Sequence, residues 1–179
     1  MAAKRAKTDP EIVRIPARTM AVVRTLGDPN DVGERVFKAL YGAAYTLKFD
    51  LKKRGVEFKM EAPRARWFAG ESWRSVPREQ WEAAWALPLP DWTTEVPQKE
   101  PETPVGVETW EYGTVAQILH IGTYAEEGPT IARLHAFIAD EGYEIAGPHE
   151  EEYVSRPNAK QPKTVIRYQV RASSTTPTV

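Results

Sequence analysis

The chain has 179 residues, enough for one domain with its own core. It has no cysteine, which excludes disulfides and thiolate metal sites, and its net charge of −1 lacks the basic excess of a nucleic-acid binder. No run approaches the roughly 20 apolar residues of a membrane helix, and MAAKRAKTDPE at the N-terminus has no apolar stretch behind its basic residues, so no span and no secretory signal is predicted.

Residues 1–11 are polar and aperiodic, and flexibility is expected there. A short strand is predicted over Ile12–Ile15 and a second over Met20–Leu26. GDPN at Gly27–Asn30 ends it, and Asp31 with Glu34 has the spacing of a capping box. Val32, Val36, Leu40, Ala44, Leu47 and Leu51 then recur at helical spacing as far as Gly55. Strands are expected over Arg64–Gly70 and Trp81–Leu87, with a polar turn at Glu71–Gln80. Pro88, Pro90, Pro97, Pro101 and Pro104 forbid a long helix in the stretch that follows.

The second half has the same grammar. TVAQILHIG at Thr114–Gly122 matches TMAVVRTLG at Thr19–Gly27 in length, in its Thr-x-Ala opening and in its apolar-Gly close. Thr123 and Glu126 form a capping box, and Ile131, Leu134 and Ile138 give an apolar stripe that ends at Gly142. Strands over Tyr143–Val154 and Thr164–Val170 follow, and residues 172–179 are again expected to be flexible. Each half reads strand–helix–strand–strand. The expectation is a single α+β domain over residues 12–171, with repeats at 12–92 and 109–171, a connector at 93–108, and an antiparallel sheet carrying two main helices. A duplicated half-domain leaves a groove, and grooves bind ligands.

The unusual feature of composition is six tryptophans, all between Trp67 and Trp110. They predict either a large core or an aromatic-lined pocket. Trp67 has only Ala65 and Ala69 beside it on its strand face; Trp81 and Trp85 share a face, as do Trp110 and Tyr112. Tyr41, Tyr45 and Lys48 run along one side of the first helix, either as a groove wall or packed on the sheet. In HEEEY at His149–Tyr153, strand alternation sets His149, Glu151 and Tyr153 on one face and Glu150 and Glu152 on the other. A desolvated carboxylate there pairs with a cation or exchanges protons; a solvated acidic edge is the plainer alternative. His120 follows Ala116 and Ile118 on an apolar face, as a core residue or an acid–base group. No metal is expected, because no His or carboxylate set has ligand spacing.

The run GTVAQILHIGTYAEEGPTIARLHAFIADEGYEIAGPHEEEYVSRP, with GDPN at 27–30, YGAAYTLKF at 41–49, Trp67, and Trp81 through Pro90–Asp91, resembles the GyrI-like small-molecule-binding domain family. The resemblance extends from about Ile12 to Val170. It implies a duplicated fold with pseudo-twofold symmetry and a central ligand cleft. Related domains sense lipophilic or cationic drugs when fused to helix-turn-helix regions, and some free-standing members hydrolyse the cyclopropane of cyclopropanoid compounds. The room before Ile12 does not suit a DNA-binding domain. Glu151 aligns with the family's carboxylate. Glu150 and Arg156 depart from the family's HHE and DP residues.

The resemblance and the residues together predict a cytoplasmic small-molecule binder without a cofactor. Glu151, Tyr153 and His120 are the candidates for chemistry, with Glu150 and Glu152 open as register alternatives to Glu151. Tyr41, Tyr45, Trp67, Trp85, Trp110 and Tyr112 are the candidates for ligand contact. Neither nucleic acid nor membrane is an expected partner. Hydrolysis, plain sequestration or sensing, and a gyrase-inhibitor-like interaction are the competing functions.

Overall fold

In the computed structural model, which describes residues 6–68, 75–156 and 158–174, alternation and capping produce these elements in chain order. They are β1 (Glu11–Ile15), β2 (Arg18–Leu26), α1 (Pro29–Lys53), β3 (Arg64–Trp67), β4 (Glu82–Pro88), β5 (Gly106–Trp110), β6 (Gly113–Ile121), α2 (Glu127–Asp140), β7 (Tyr143–Ile145), β8 (His149–Tyr153) and β9 (Lys163–Ala172). They sort into two units, one spanning Ala17–Glu111 and the other joining the residues up to Pro16 with those from Tyr112 onward.

The Ala17–Glu111 unit is an antiparallel sheet in the order β5–β2–β4–β3, with Met20 opposite Glu108 and Trp85 between Val23 and Ala65. α1 buries Val32, Val36, Ala39, Leu40, Ala43, Ala44 and Leu51, the stripe that the spacing predicts. Each fully buried Val or Leu on it contributes about 1.5–3 kcal/mol. The helix starts earlier than expected. Asp28, not Asp31, is the cap: its side chain accepts from Asn30 N at 2.8 Å, and Pro29 occupies the first turn, where no N–H is needed. The stretch read as a connector ends in strand, since Gly106 already belongs to β5 and pairs with Val22.

The other unit repeats the pattern as β1–β6–β9–β8, with β7 on β9. Val13 pairs with Val115, Ile118 with Ile166 and Glu151 with Ile166, so β9 lies between β6 and β8. Leu134 and Ile138 of α2 close over Ala116, Ile118, Ile166, Tyr168 and Val170. The predicted capping box at Thr123 and Glu126 is present in both directions. It opens a single 3-10 turn, Tyr124–Glu126, from which α2 continues. The strand expected over Tyr143–Val154 is broken into β7 and β8. Gly147 sits in the break with its α-carbon against Gln169, where an added Cβ would lie 2.5 Å from the amide oxygen.

The fold class is therefore α+β, with strand–helix–strand–strand modules duplicated along the chain. No helix among the described residues is long and apolar enough to cross a membrane. The expected strand end at Ala69–Gly70, part of the turn at Glu71–Gln80, and residues 1–5 and 175–179 of the expected flexible termini lie outside the described residues. Within the remainder of those termini, Lys7 O accepts from Leu119 N, Glu11 belongs to β1 and Ala172 to β9.

Candidate functional site

Strand alternation divides the three glutamates of β8 between two environments. On one face, Glu150 is 2% exposed and Arg167 is 6% exposed. Arg167 donates to Glu150 Oε1 at 2.8 Å, to Glu152 Oε2 at 3.0 Å and to Gln117 Oε1 at 3.1 and 3.0 Å. Tyr112 Oη also donates to Glu150 Oε1, at 3.0 Å. These are charge-assisted bonds, and they consume Glu150, Glu152 and Tyr112 in holding the sheet.

The opposite face carries Glu151. Tyr153 Oη donates to Glu151 Oε2 at 2.8 Å, and His149 Nε2 lies 2.9 Å from Glu151 Oε1. A carboxylate only accepts, so His149 carries a proton on Nε2; in the neutral ring Nδ1 then accepts from Tyr168 Oη at 2.7 Å. His135 stacks edge-on to Tyr168, with ring centroids 5.0 Å apart. Tyr124 meets the Tyr153 ring edge-on at 6.0 Å. Glu151 side-chain exposure is 12%, so the carboxylate is mostly withdrawn from water.

A fourth carboxyl belongs to this site. Glu127, in the first turn of α2, is 6% exposed, and its Oε1 has no hydrogen-bond partner among the described residues. Burial first, then the Glu151 charge and a hydrogen bond to Glu151, push its pKa up to about 9. At neutral pH Glu127 therefore keeps its proton beside the Glu151 charge. Burial and the Glu151 charge likewise raise Tyr124 to about 12 and Tyr153 well above its ordinary value, so both phenols remain donors. Glu126, one residue earlier, behaves oppositely. Its bonds from Thr123 N and Oγ1, both 2.8 Å, hold it below the usual carboxylate range.

Glu127 was legible in principle: Glu127, Ile131, Leu134 and Ile138 form an i, i+4, i+7, i+11 series, so the residue continues the apolar stripe of its helix. His120 is 4% exposed, with Nδ1 2.8 Å from Thr130 Oγ1 and Nε2 3.0 Å from Thr123 O. Both ring nitrogens are thus engaged at the start of α2.

Four aromatic candidates of the Ala17–Glu111 unit, Tyr41, Tyr45, Trp67 and Trp85, belong to one continuous array. Phe37, Tyr41, Tyr45 and Phe49 follow one another at four-residue spacing on α1, with centroids 6.3, 6.0 and 6.1 Å apart. Phe37 meets Trp85 at 5.4 Å, Trp85 meets Trp67 at 5.2 Å, and Trp67 meets Trp81 at 5.9 Å, all edge-on. Trp85 is buried and donates to Thr25 Oγ1 at 2.9 Å. The indole N–H of Trp67 is buried without a partner among the described residues. Trp110 is buried too, donating to Glu108 Oε2 at 3.2 Å with the Arg66 guanidinium 4.1 Å over its ring. Of the array, Tyr45 and Phe49 are the exposed members, at 42% and 57%.

The family model described as GyrI-like small molecule binding domain matches residues 91–172 of the chain. A crystal structure of an uncharacterized conserved protein from Listeria innocua is 26% identical, with a TM-score of 0.82 over 93% of this chain and 94% of that one. A crystal structure of a hydrolase from Listeria innocua is 24% identical, with a TM-score of 0.76 and the same coverage. The C-terminal domain of EcmrR shares the fold at 12% identity, with a TM-score of 0.62 over 92% of this chain and 98% of that one. No curated protein sequence matches the chain significantly.

Proposed function

We propose that this chain binds a flat aromatic or lipophilic small molecule, with a preference for cations, through Glu151. The observation that carries the reading is the contrast along β8: Glu150 and Glu152 are neutralised by Arg167, while Glu151 is held by a phenol and an imidazole. A shielded negative charge beside tyrosine rings suits an organic cation, each ring contact contributing about 0.5–2 kcal/mol. Taken by itself, the Ala17–Glu111 unit has Tyr41, Tyr45 and Trp67 as its proposed ring-stacking residues, with Trp85 and Trp110 at buried positions. Direct nucleic-acid binding is no part of this reading, and a cytoplasmic location suits a chain without cysteine. Titrating tryptophan fluorescence with matched cationic and neutral dyes tests it. Cation preference that disappears in Glu151→Gln supports the reading; equal affinity for both dyes in the native protein refutes it.

A second reading is hydrolysis, favoured by the charged Glu151 standing beside the protonated Glu127. In a cyclopropane fused to a conjugated dienone, water attacks the methylene carbon as Glu151 takes its proton. The ring C–C bond breaks, its electron pair reaches the carbonyl oxygen, and the phenolate accepts a proton from Glu127 or Tyr153. Similarity to a protein named a hydrolase supports this at the level of fold. Incubation with a cyclopropanoid probe decides: binding without turnover above buffer leaves sequestration or sensing as the function. A gyrase-inhibitor-like role, the remaining alternative, predicts an effect on DNA supercoiling by gyrase.

A further inference from the structure

A carboxylate withdrawn from water stays ionised only where donors reach its oxygens. Glu151 has one donor on each: Tyr153 Oη on Oε2 at 2.8 Å and His149 Nε2 on Oε1 at 2.9 Å. A phenol presents its O–H by simple rotation. An imidazole presents Nε2–H to one place only in one orientation of the ring. Turning the His149 ring over would set Cε1 against Glu151 and Cδ2 against Tyr168, and both hydrogen bonds would be lost.

Tyr168 prevents that turn. Glu150 pairs with Arg167 across β8 and β9, so the residue before Glu150 faces the residue after Arg167. These are His149 and Tyr168. Their rings meet at 65° with centroids 5.2 Å apart, and the Tyr168 hydroxyl lies 2.7 Å from His149 Nδ1. Tyr168 is buried in the cluster under α2, with the His135 ring edge-on to it at 5.0 Å. A chain of hydrogen bonds thus runs from a fixed core phenol through one imidazole to the carboxylate of Glu151.

We propose that His149 is a positioning residue of the binding site, oriented by the Tyr168 hydroxyl so that its Nε2–H holds Glu151 ionised and aimed. The proposal deepens the binding reading above and rests on it. Preference for a cation then depends on His149 and Tyr168 as well as on Glu151. Without the Nε2 donor, the shielded carboxyl takes a proton and loses its charge. A neutral ligand does not use that charge and binds as before.

The test is calorimetric titration of the full chain at neutral pH with 1-methylquinolinium, a permanent flat cation, and 1-methylnaphthalene, its neutral isostere. His149→Ala is expected to weaken cation binding about tenfold, the effect of losing one hydrogen bond to a charged group, and to leave the isostere unchanged. His149→Gln is expected to restore the cation, because a side-chain amide N–H reaches the place of Nε2. Tyr168→Phe is expected to weaken the cation in the native background and to add nothing in the His149→Gln background, where no ring needs orienting. Nitrogen NMR gives a second readout: native His149 is expected to show an acceptor-type Nδ1 and a protonated Nε2, and Tyr168→Phe to move the Nδ1 signal. Equal loss for both probes in His149→Ala, unchanged cation affinity in that variant, or a Tyr168→Phe loss that persists in the His149→Gln background overturns the positioning role and leaves the binding reading standing. Absence of binding by both probes in the native chain, or equal affinity for them, overturns both.

Discussion

Arg167 and Glu150 form a buried ion pair of 2.8 Å on the face of β8 opposite to Glu151. The same guanidinium also holds Glu152, so two of three consecutive glutamates share one arginine while Glu151 is bonded by Tyr153 and His149. Arg167→Met takes the guanidinium away from the buried Glu150 charge. We expect a loss of about 3–5 kcal/mol in denaturant unfolding, most of it recovered by the double variant Arg167→Met/Glu150→Met.

Glu127 gives the protein an inverted pH response. Its folded pKa of about 9 lies above the unfolded carboxylate value of 4.5. The folded state therefore retains a proton that the unfolded state has lost, and stability from this residue is complete below pH 4.5 and declines as pH rises toward 9. The unfolding free energy of the native chain is expected to be lower at pH 8 than at pH 5 through this residue, and this component is absent in Glu127→Gln.

Gly122 has φ +145°, and a Cβ there would lie 2.9 Å from Glu126 Oε2 and 3.2 Å from His120 Nε2. Gly122→Ala must disturb the capping box or the backbone. A loss of about 1–3 kcal/mol is expected, with weakened amide protection at Thr123 and Glu126 by hydrogen exchange.

Much of the fold is visible in the residues. Thr123-x-x-Glu126 predicts the start of the second helical segment, and Val32 through Leu51 traces the buried face of α1. The β8 alternation predicts the partnership of Glu151 and Tyr153. Asp28 escaped notice as the α1 cap because Asp31 and Glu34 offer a better local pattern, while the Pro29 ring fixes the turn one step earlier. Arg167 was silent for another reason: its partners lie 15, 17 and 50 residues away, and only the register of β9 on β6 and β8 brings them together. Glu127 was hidden by its own neighbour. Two adjacent glutamates at a helix start read as a solvated pair, yet a step of about 100° turns one outward and the other into the core.

Trp85 and Trp67 are adjacent rings with different polar fates. Trp85→Phe loses a hydrogen bond to Thr25, and Thr25→Val loses the same bond. A double-mutant cycle in thermal unfolding is expected to give about 0.5–1.5 kcal/mol of coupling. Trp67→Phe removes a buried N–H that has no partner among the described residues, so it costs less than Trp85→Phe.

The central claim is that residue 151 supplies the charge that holds the ligand. A structure of the chain with 1-methylquinolinium bound tests it most directly. The account predicts the ring nitrogen within about 5 Å of the Glu151 carboxylate, with the Tyr153 ring in contact. A cation seated elsewhere, with the Glu151 bonds to Tyr153 and His149 unchanged and affinity intact in Glu151→Gln, would contradict it.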